Sequence, residues 1–145
     1  MTVKQISVFL ENKPGQLAEF TKLLESQQIN MCALSLADAE DFGILRIIVD
    51  DSYKTACVLK EAGYVFSITP VLAVEIPDKP GSLVRVLDVL GENGVNLEYT
   101  YAFTVSRSKS AYMIFRVADT DRAIAVLDQN NIHLVCQGEL SGLLD

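Results

Sequence analysis

With 145 residues, half of them apolar and about a fifth charged, the chain has the makeup of an ordinary globular protein of one domain or two small ones. A formal net charge of −7 and the lack of any Lys/Arg cluster argue against non-specific binding to nucleic acid or an anionic membrane. No apolar run approaches the roughly 18 residues of a membrane span, Met1-Thr2-Val3-Lys4-Gln5 has no signal-peptide form, and three widely spaced cysteines (Cys32, Cys57, Cys136) with no Cys-x-x-Cys point to free thiols in a reducing, cytoplasmic setting.

The first predicted strand runs near Val3 to Leu10, with Ile6, Val8 and Leu10 alternating onto one face. Asn12-Lys13-Pro14-Gly15-Gln16-Leu17 then turns the chain into a helix near Gly15 to Gln28, whose stripe is Leu17, Phe20, Leu23, Leu24 and Gln27. A strand over roughly Asn30 to Ala37, a polar turn at Asp38-Ala39-Glu40-Asp41 and a strand near Gly43 to Val49 follow. Ser52 suits the N-cap of a second helix that ends at Gly63, with Thr55, Val58, Leu59 and Ala62 inward. A fourth strand lies near Tyr64 to Ile68.

The order then repeats. A strand at Val71 to Ile76 leads into Asp78-Lys79-Pro80-Gly81-Ser82-Leu83 and a helix carrying Leu83, Val86, Leu87 and Leu90, closed by Gly91 and Gly94. A strand from Asn96 to about Val105, a longer hairpin at Ser106-Arg107-Ser108-Lys109-Ser110 and a strand from Ala111 to Val117 come next. Thr120 suits the cap of a helix with Ala123, Val126 and Leu127 inward, and a last strand spans Ile132 to about Gln137. Pro80 lies 66 residues after Pro14, and at that offset Leu17 matches Leu83, Leu24 matches Leu90 and Asn30 matches Asn96. Past the longer hairpin the offset is 68, where Asp51 matches Asp119 and Leu59 matches Leu127.

Strand, helix, strand, strand, helix, strand, read twice, predicts an α+β protein. It is made of two tandem ferredoxin-like βαββαβ units, residues 1–69 and 70–145, each an antiparallel four-stranded sheet with its helices on one face. Thr69-Pro70 is then the whole linker. A unit of ~70 residues is marginal alone, so the two are expected to pack or pair strands, with each Pro-Gly turn near an interface. Outer strands or apolar sheet faces that remain after the two units pair predict a homodimer.

The two turns carry the chemistry. Pro fits a helix entry, Gly fits a sharp bend, and the first helical turn offers unpaired N–H groups and partial positive charge to a carboxylate. Asn-Lys-Pro-Gly-x-Leu and Asp-Lys-Pro-Gly-x-Leu, with Ile29-Asn30 and Val95-Asn96 after the following helix, make each unit resemble an ACT domain. That family consists of small regulatory modules of amino-acid-metabolising enzymes. The resemblance covers essentially the whole chain and implies a free amino acid bound between domains, near the turn and the start of the second strand. It also implies a metabolic enzyme as the regulated partner, although no catalytic domain is attached. The implied ligand-binding residues are Asn12, Lys13, Pro14, Gly15, Gln16, Leu17 and Asn30, with Asp78, Lys79, Pro80, Gly81, Ser82, Leu83 and Asn96 in the second unit. The N–H groups around Gly15 and Gln16 would hold the carboxylate, while Asn12 and Asn30 offer donors and acceptors. Asp78 in place of Asn12 favours the ammonium, so the two sites should differ.

Plainer roles exist for the same residues. Asn12, Asp78, Asn30 and Asn96 also suit simple turns or caps. His133 reads as a partly exposed strand residue, and the cysteines as small buried groups. Asp41-Phe42-Gly43 spells a kinase motif without its companions and reads as a hairpin turn. Tyr99, Tyr101 and Phe103 alternate as in base-stacking sheets, but the acidic balance favours exposed sheet packing. With one histidine, no metal-ligand spacing and no nucleophile–base motif, neither an enzyme nor a cofactor is expected. The competing function is a structural or interaction protein with no small-molecule ligand.

Overall fold

The computed structural model describes residues 1–103 and 109–143. They form two compact units, an N-terminal one at Lys4–Thr69 and a C-terminal one at Pro70–Asp145 together with Met1–Val3. Part of the hairpin expected at Ser106 to Ser110 lies outside the described residues. No helix among those described is long and apolar enough to cross a membrane.

The N-terminal unit contains β1 (Val3–Glu11) from Lys4 onward, α1 (Gln16–Ser26), β2 (Met31–Ala39), β3 (Phe42–Val49), α2 (Ser52–Glu61) and the start of β4 (Phe66–Pro77). β3 lies antiparallel between β1 and β2, and β1 also pairs with β4. The period-2 pattern of β1 puts Ile6, Val8 and Leu10 inward, with Ile6 opposite Ile47 and Val8 opposite Leu45. Phe20 and Leu24 of α1 and Leu59 of α2 complete this core. Each such buried side chain contributes about 1.5–3 kcal/mol. Thr55 is buried too, and its hydroxyl donates to the Asp51 carbonyl at 2.7 Å.

The C-terminal unit repeats the plan with the rest of β4, α3 (Ser82–Glu92), β5 (Leu97–Phe103), β6 (Ser110–Val117), α4 (Thr120–Gln129), β7 (Leu134–Val135) and α5 (Gln137–Leu143). β6 lies antiparallel between β4 and β5, and β4 pairs with β7. Leu72, Val74, Phe115, Val86, Leu90, Ala123 and Leu127 fill its own core.

The four main helices all stop the same way. The residue after each C-cap has positive φ: Gln28 (54°), Gly63 (82°), Gly94 (68°) and Asn131 (57°). The next N–H reaches back across the last turn, as in Ile29 to Leu24 (2.9 Å) and Ile132 to Leu127 (3.0 Å). This is the Schellman motif, which satisfies carbonyls that a helix end leaves open.

Several details differ from the sequence reading. The N-caps of α2 and α4 are Asp51 and Asp119, not Ser52 and Thr120. Each aspartate is extended and accepts from the N–H three residues on, Lys54 at 2.9 Å and Arg122 at 3.1 Å. A cap must precede the helical dihedrals, and a carboxylate also matches the helix dipole. Asp51→Ala and Asp119→Ala are each expected to cost about 0.5–2 kcal/mol in urea denaturation, whereas Ser52→Ala and Thr120→Ala cost less.

Among the described residues there are seven strands rather than eight, because β4 replaces two strands separated by Thr69-Pro70. Pro70 holds a φ suited to extended backbone and pushes Thr69 out of the helical region, so the strand continues through them. The turn between β2 and β3 is Glu40-Asp41 alone. The last strand shrinks to Leu134–Val135, and the chain continues as α5, anchored by buried Leu140, whose N–H donates to the Cys136 carbonyl. Tyr101 and Phe103 are buried, not exposed, and Phe103 lies 6.2 Å from the Tyr112 ring.

Candidate functional site

The two Pro-Gly turns have one geometry. Gly15 (φ 84°) and Gly81 (φ 89°) occupy the left-handed region at the N-caps of α1 and α3, and no side chain caps either helix. Lys13 N–H donates to the Glu11 carbonyl at 3.0 Å, as Lys79 does to Pro77 at 2.9 Å. Gln16 and Ser82 bond back to Lys13 and Lys79 at 3.4 and 3.3 Å. Glu19 and Arg85 then make the first bonds of their helices, to Gly15 and Gly81. The next two N–H groups, Leu17 and Ala18 in one unit and Leu83 and Val84 in the other, lie in the first turn, where an α-helix supplies no intrahelical acceptor. A Cβ on either glycine would meet nothing within 4 Å, so the positive φ alone demands glycine.

Each turn borders a recess framed by the end of the unit's first strand, the start of its first helix and the loop after its second helix. In the N-terminal unit it measures about 660 Å³, with Phe9, Glu11, Lys13, Gln16, Glu19 and Tyr64 on its walls. A smaller one of about 180 Å³ lies beside Asn12, Leu17, Leu36 and Gly43. In the C-terminal unit it measures about 590 Å³ and is walled by Glu75, Lys79, Gly81, Ser82, Arg85 and His133.

The residues proposed from sequence divide into three groups. Of the turn residues, Asn12, Lys13, Gln16 and Leu17 line the N-terminal recesses and Lys79, Pro80, Gly81 and Ser82 the C-terminal one, while Pro14, Gly15, Asp78 and Leu83 line none of them; Leu17 and Leu83 pack against the two cores. Asn12 secures the β2–β3 hairpin: its Nδ2 donates to the Glu40 carbonyl and its N–H to the Asp41 carbonyl, both at 2.9 Å. Asp78 N–H makes the matching backbone bond, to the Lys109 carbonyl at 3.2 Å. Asn30 and Asn96 sit past the far ends of α1 and α3 and do not join the turn of their own unit. Asn30 N–H donates to Asp50 Oδ1 at 3.1 Å, and its carbonyl accepts from the Asp50 N–H. Asn96 accepts from Ala118 N–H at 3.2 Å.

Charged groups outside the proposed set also line the recesses, beside Lys13 and Lys79, which belong to it. Lys13 pairs with Glu11 at 2.6 Å, and this bond holds the carboxyl below, and the ammonium above, its ordinary range. In the other unit Glu75, Arg85 and His133 take part. His133 Nε2 lies 2.9 Å from Glu139 Oε2 and 3.9 Å from Glu75 Oε2, and its hydrogen bond lowers the Glu139 pKa. The signal was present in the repeat itself. At the two offsets Glu19 aligns with Arg85, Phe9 with Glu75 and Val65 with His133.

Burial, with the nearby Asp50 charge, pushes the Cys32 thiol up to about 12, which leaves it protonated and unreactive. No group of three or more His, Cys, Asp or Glu among the described residues could hold a metal ion.

The ACT domain pair family model matches residues 1–144. The chain belongs to that family. Among solved structures, this ACT domain pair is similar to protein BT0572 from Bacteroides thetaiotaomicron, at 39% identity and a TM-score of 0.90, over 97% of this chain and 96% of that one. It also resembles the regulatory subunits of aspartate kinase from Thermus thermophilus (15% identity, TM-score 0.61) and Thermus flavus (17%, 0.55), each over 87% of this chain and 90% of the other. Those two likenesses show the fold alone. No curated protein matches.

Proposed function

We propose that this ACT domain pair is a regulatory protein with no chemistry of its own, which senses a free amino acid at its Pro-Gly turns. The observation that carries this reading is the duplicated turn: two left-handed glycines, each opening an uncapped helix N-terminus beside a recess. The fold shared with regulatory subunits of aspartate kinase supports it. A helix end contributes about 0.3–2 kcal/mol toward a carboxylate, so other groups must add contacts. In the C-terminal unit Glu75 suits the ammonium. The Ser82 hydroxyl, buried among the recess-lining residues without a hydrogen-bond partner, suits any polar group brought to it.

The test is a thermal-shift panel of the common amino acids on the full chain. Binding to the folded state alone adds about 2.7 kcal/mol at a hundredfold excess over Kd, on the order of 5–10 °C for a chain this long. One or a few responders are expected. The rival reading is an interaction protein without a ligand, favoured by the exposed Phe9 and Phe42 rings, which meet edge to face at 6.4 Å. It wins if the whole panel and calorimetry are silent. We further propose a homodimer acting on a metabolic enzyme; light scattering on the same samples, if it shows a monomer at high concentration with and without amino acids, removes the first half.

A further inference from the structure

The two recesses, alike in backbone, differ in charge. Arg85 stands where the N-terminal unit has Glu19, so a cation replaces an anion one helical turn into the site. Its Nη2 donates to the Asn130 carbonyl at 2.7 Å, which fixes the guanidinium while leaving donors from the rest of the fork. Lys79 matches Lys13, but Pro77 stands where Glu11 is, so the 2.6 Å ion pair that neutralises Lys13 has no counterpart among the described residues. Glu75 replaces Phe9; its Oε1 accepts from the Tyr112 hydroxyl at a long 3.3 Å. Asp78, the other carboxylate of the turn, is exposed and is not among the residues lining this recess.

We infer that the recess beside Gly81 selects an amino acid with a second anionic group, and that the recess beside Gly15 does not. This rests on the amino-acid reading above and adds the ligand class. The ligand ammonium meets Glu75. Its α-carboxylate meets the uncapped start of α3, and the second carboxylate meets Arg85 and Lys79. A neutral side chain leaves those two cations without their anion. Hydrogen bonds to an ionised acceptor are roughly twice as strong as neutral ones, so the acid should bind about tenfold tighter than its amide.

Calorimetry on the full chain with aspartate against asparagine, and glutamate against glutamine, reads this directly, because each pair matches in shape. At neutral pH one acid should bind about tenfold or more tighter than its amide, and Arg85→Gln should bring the ratio near one. Arg85 also holds the end of α4, so Lys79→Gln, on an exposed residue, carries the test if Arg85→Gln fails to fold; it should lower the ratio severalfold. Equal binding of acid and amide, or a preference that survives both substitutions, overturns the inference and leaves amino-acid sensing intact. Silence toward every amino acid overturns both.

Discussion

Phe20→Ala should lower the stability of the chain by about 3–5 kcal/mol, the range for emptying a buried aromatic site. Phe20 is fully buried at the centre of the N-terminal core, and Tyr64 meets it edge-on with ring centroids 5.3 Å apart and planes at 90°. Loss of the ring removes its transfer free energy and leaves a cavity between α1 and the β1–β3 pair, which regular backbone on both sides prevents from collapsing. Domains are stable by only about 5–15 kcal/mol, so the loss is a large share of the total. Urea denaturation followed by circular dichroism measures it. Phe9→Ala is the comparison. That ring is 43% exposed and touches Phe42, so its loss should cost well under half as much. Similar costs for the two would contradict the core as described.

The double substitution Gly15→Val with Gly81→Val should have the largest effect on ligand response. An L-residue in the left-handed region costs roughly 1–2 kcal/mol, and a β-branched one sits at the upper end. Two such sites should lose about 2–4 kcal/mol. Because a Cβ at either position meets no neighbour within 4 Å, the penalty is conformational rather than steric. The chain can relieve it by letting the turns relax, which moves the first-turn N–H groups off the recess. The expected result is a folded protein with a lower melting temperature and no thermal shift toward any amino acid that stabilises the parent. A full response in the double variant would place the ligand elsewhere.

The repeat made most of this legible in the sequence. Period-2 alternation in β1 and helical spacing around Phe20 and Leu24 name the N-terminal core directly, and the 66- and 68-residue offsets carry it to the second unit. Where the reading failed, chemistry was degenerate. Asp51 and Ser52 are adjacent and both able to cap, and only the backbone decides between them. Gln28 and Asn131 end helices in the conformation that Gly94 and Gly63 adopt at the matching positions, but neither is glycine, so local composition did not mark them. Thr69-Pro70 reads as a linker, yet the fixed dihedral of proline suits a strand. α5 contains Gly138 and Gly142, poor helix formers, and owes its place to the burial of Leu140. Asn12 and Asn30 of one unit do not meet, for a simple reason. A helix of 11 residues spans about 16 Å at 1.5 Å per residue, and the two asparagines flank opposite ends of it.

The turns look like local motifs, six residues each, yet both are finished from far along the chain. The Asn12 amide closes on Glu40, 28 residues on, and the Asp78 N–H closes on Lys109, 31 residues on. Such contacts bear loop-closure entropy and form only when the intervening helix and hairpin are in place. In kinetic terms the recesses are expected to form late in folding, which a φ-value near zero for Asn12→Ala would show. A peptide carrying either Lys-Pro-Gly turn would hold the sequence of the turn without its shape, and nascent or partly unfolded chains would lack the recesses that the folded protein presents.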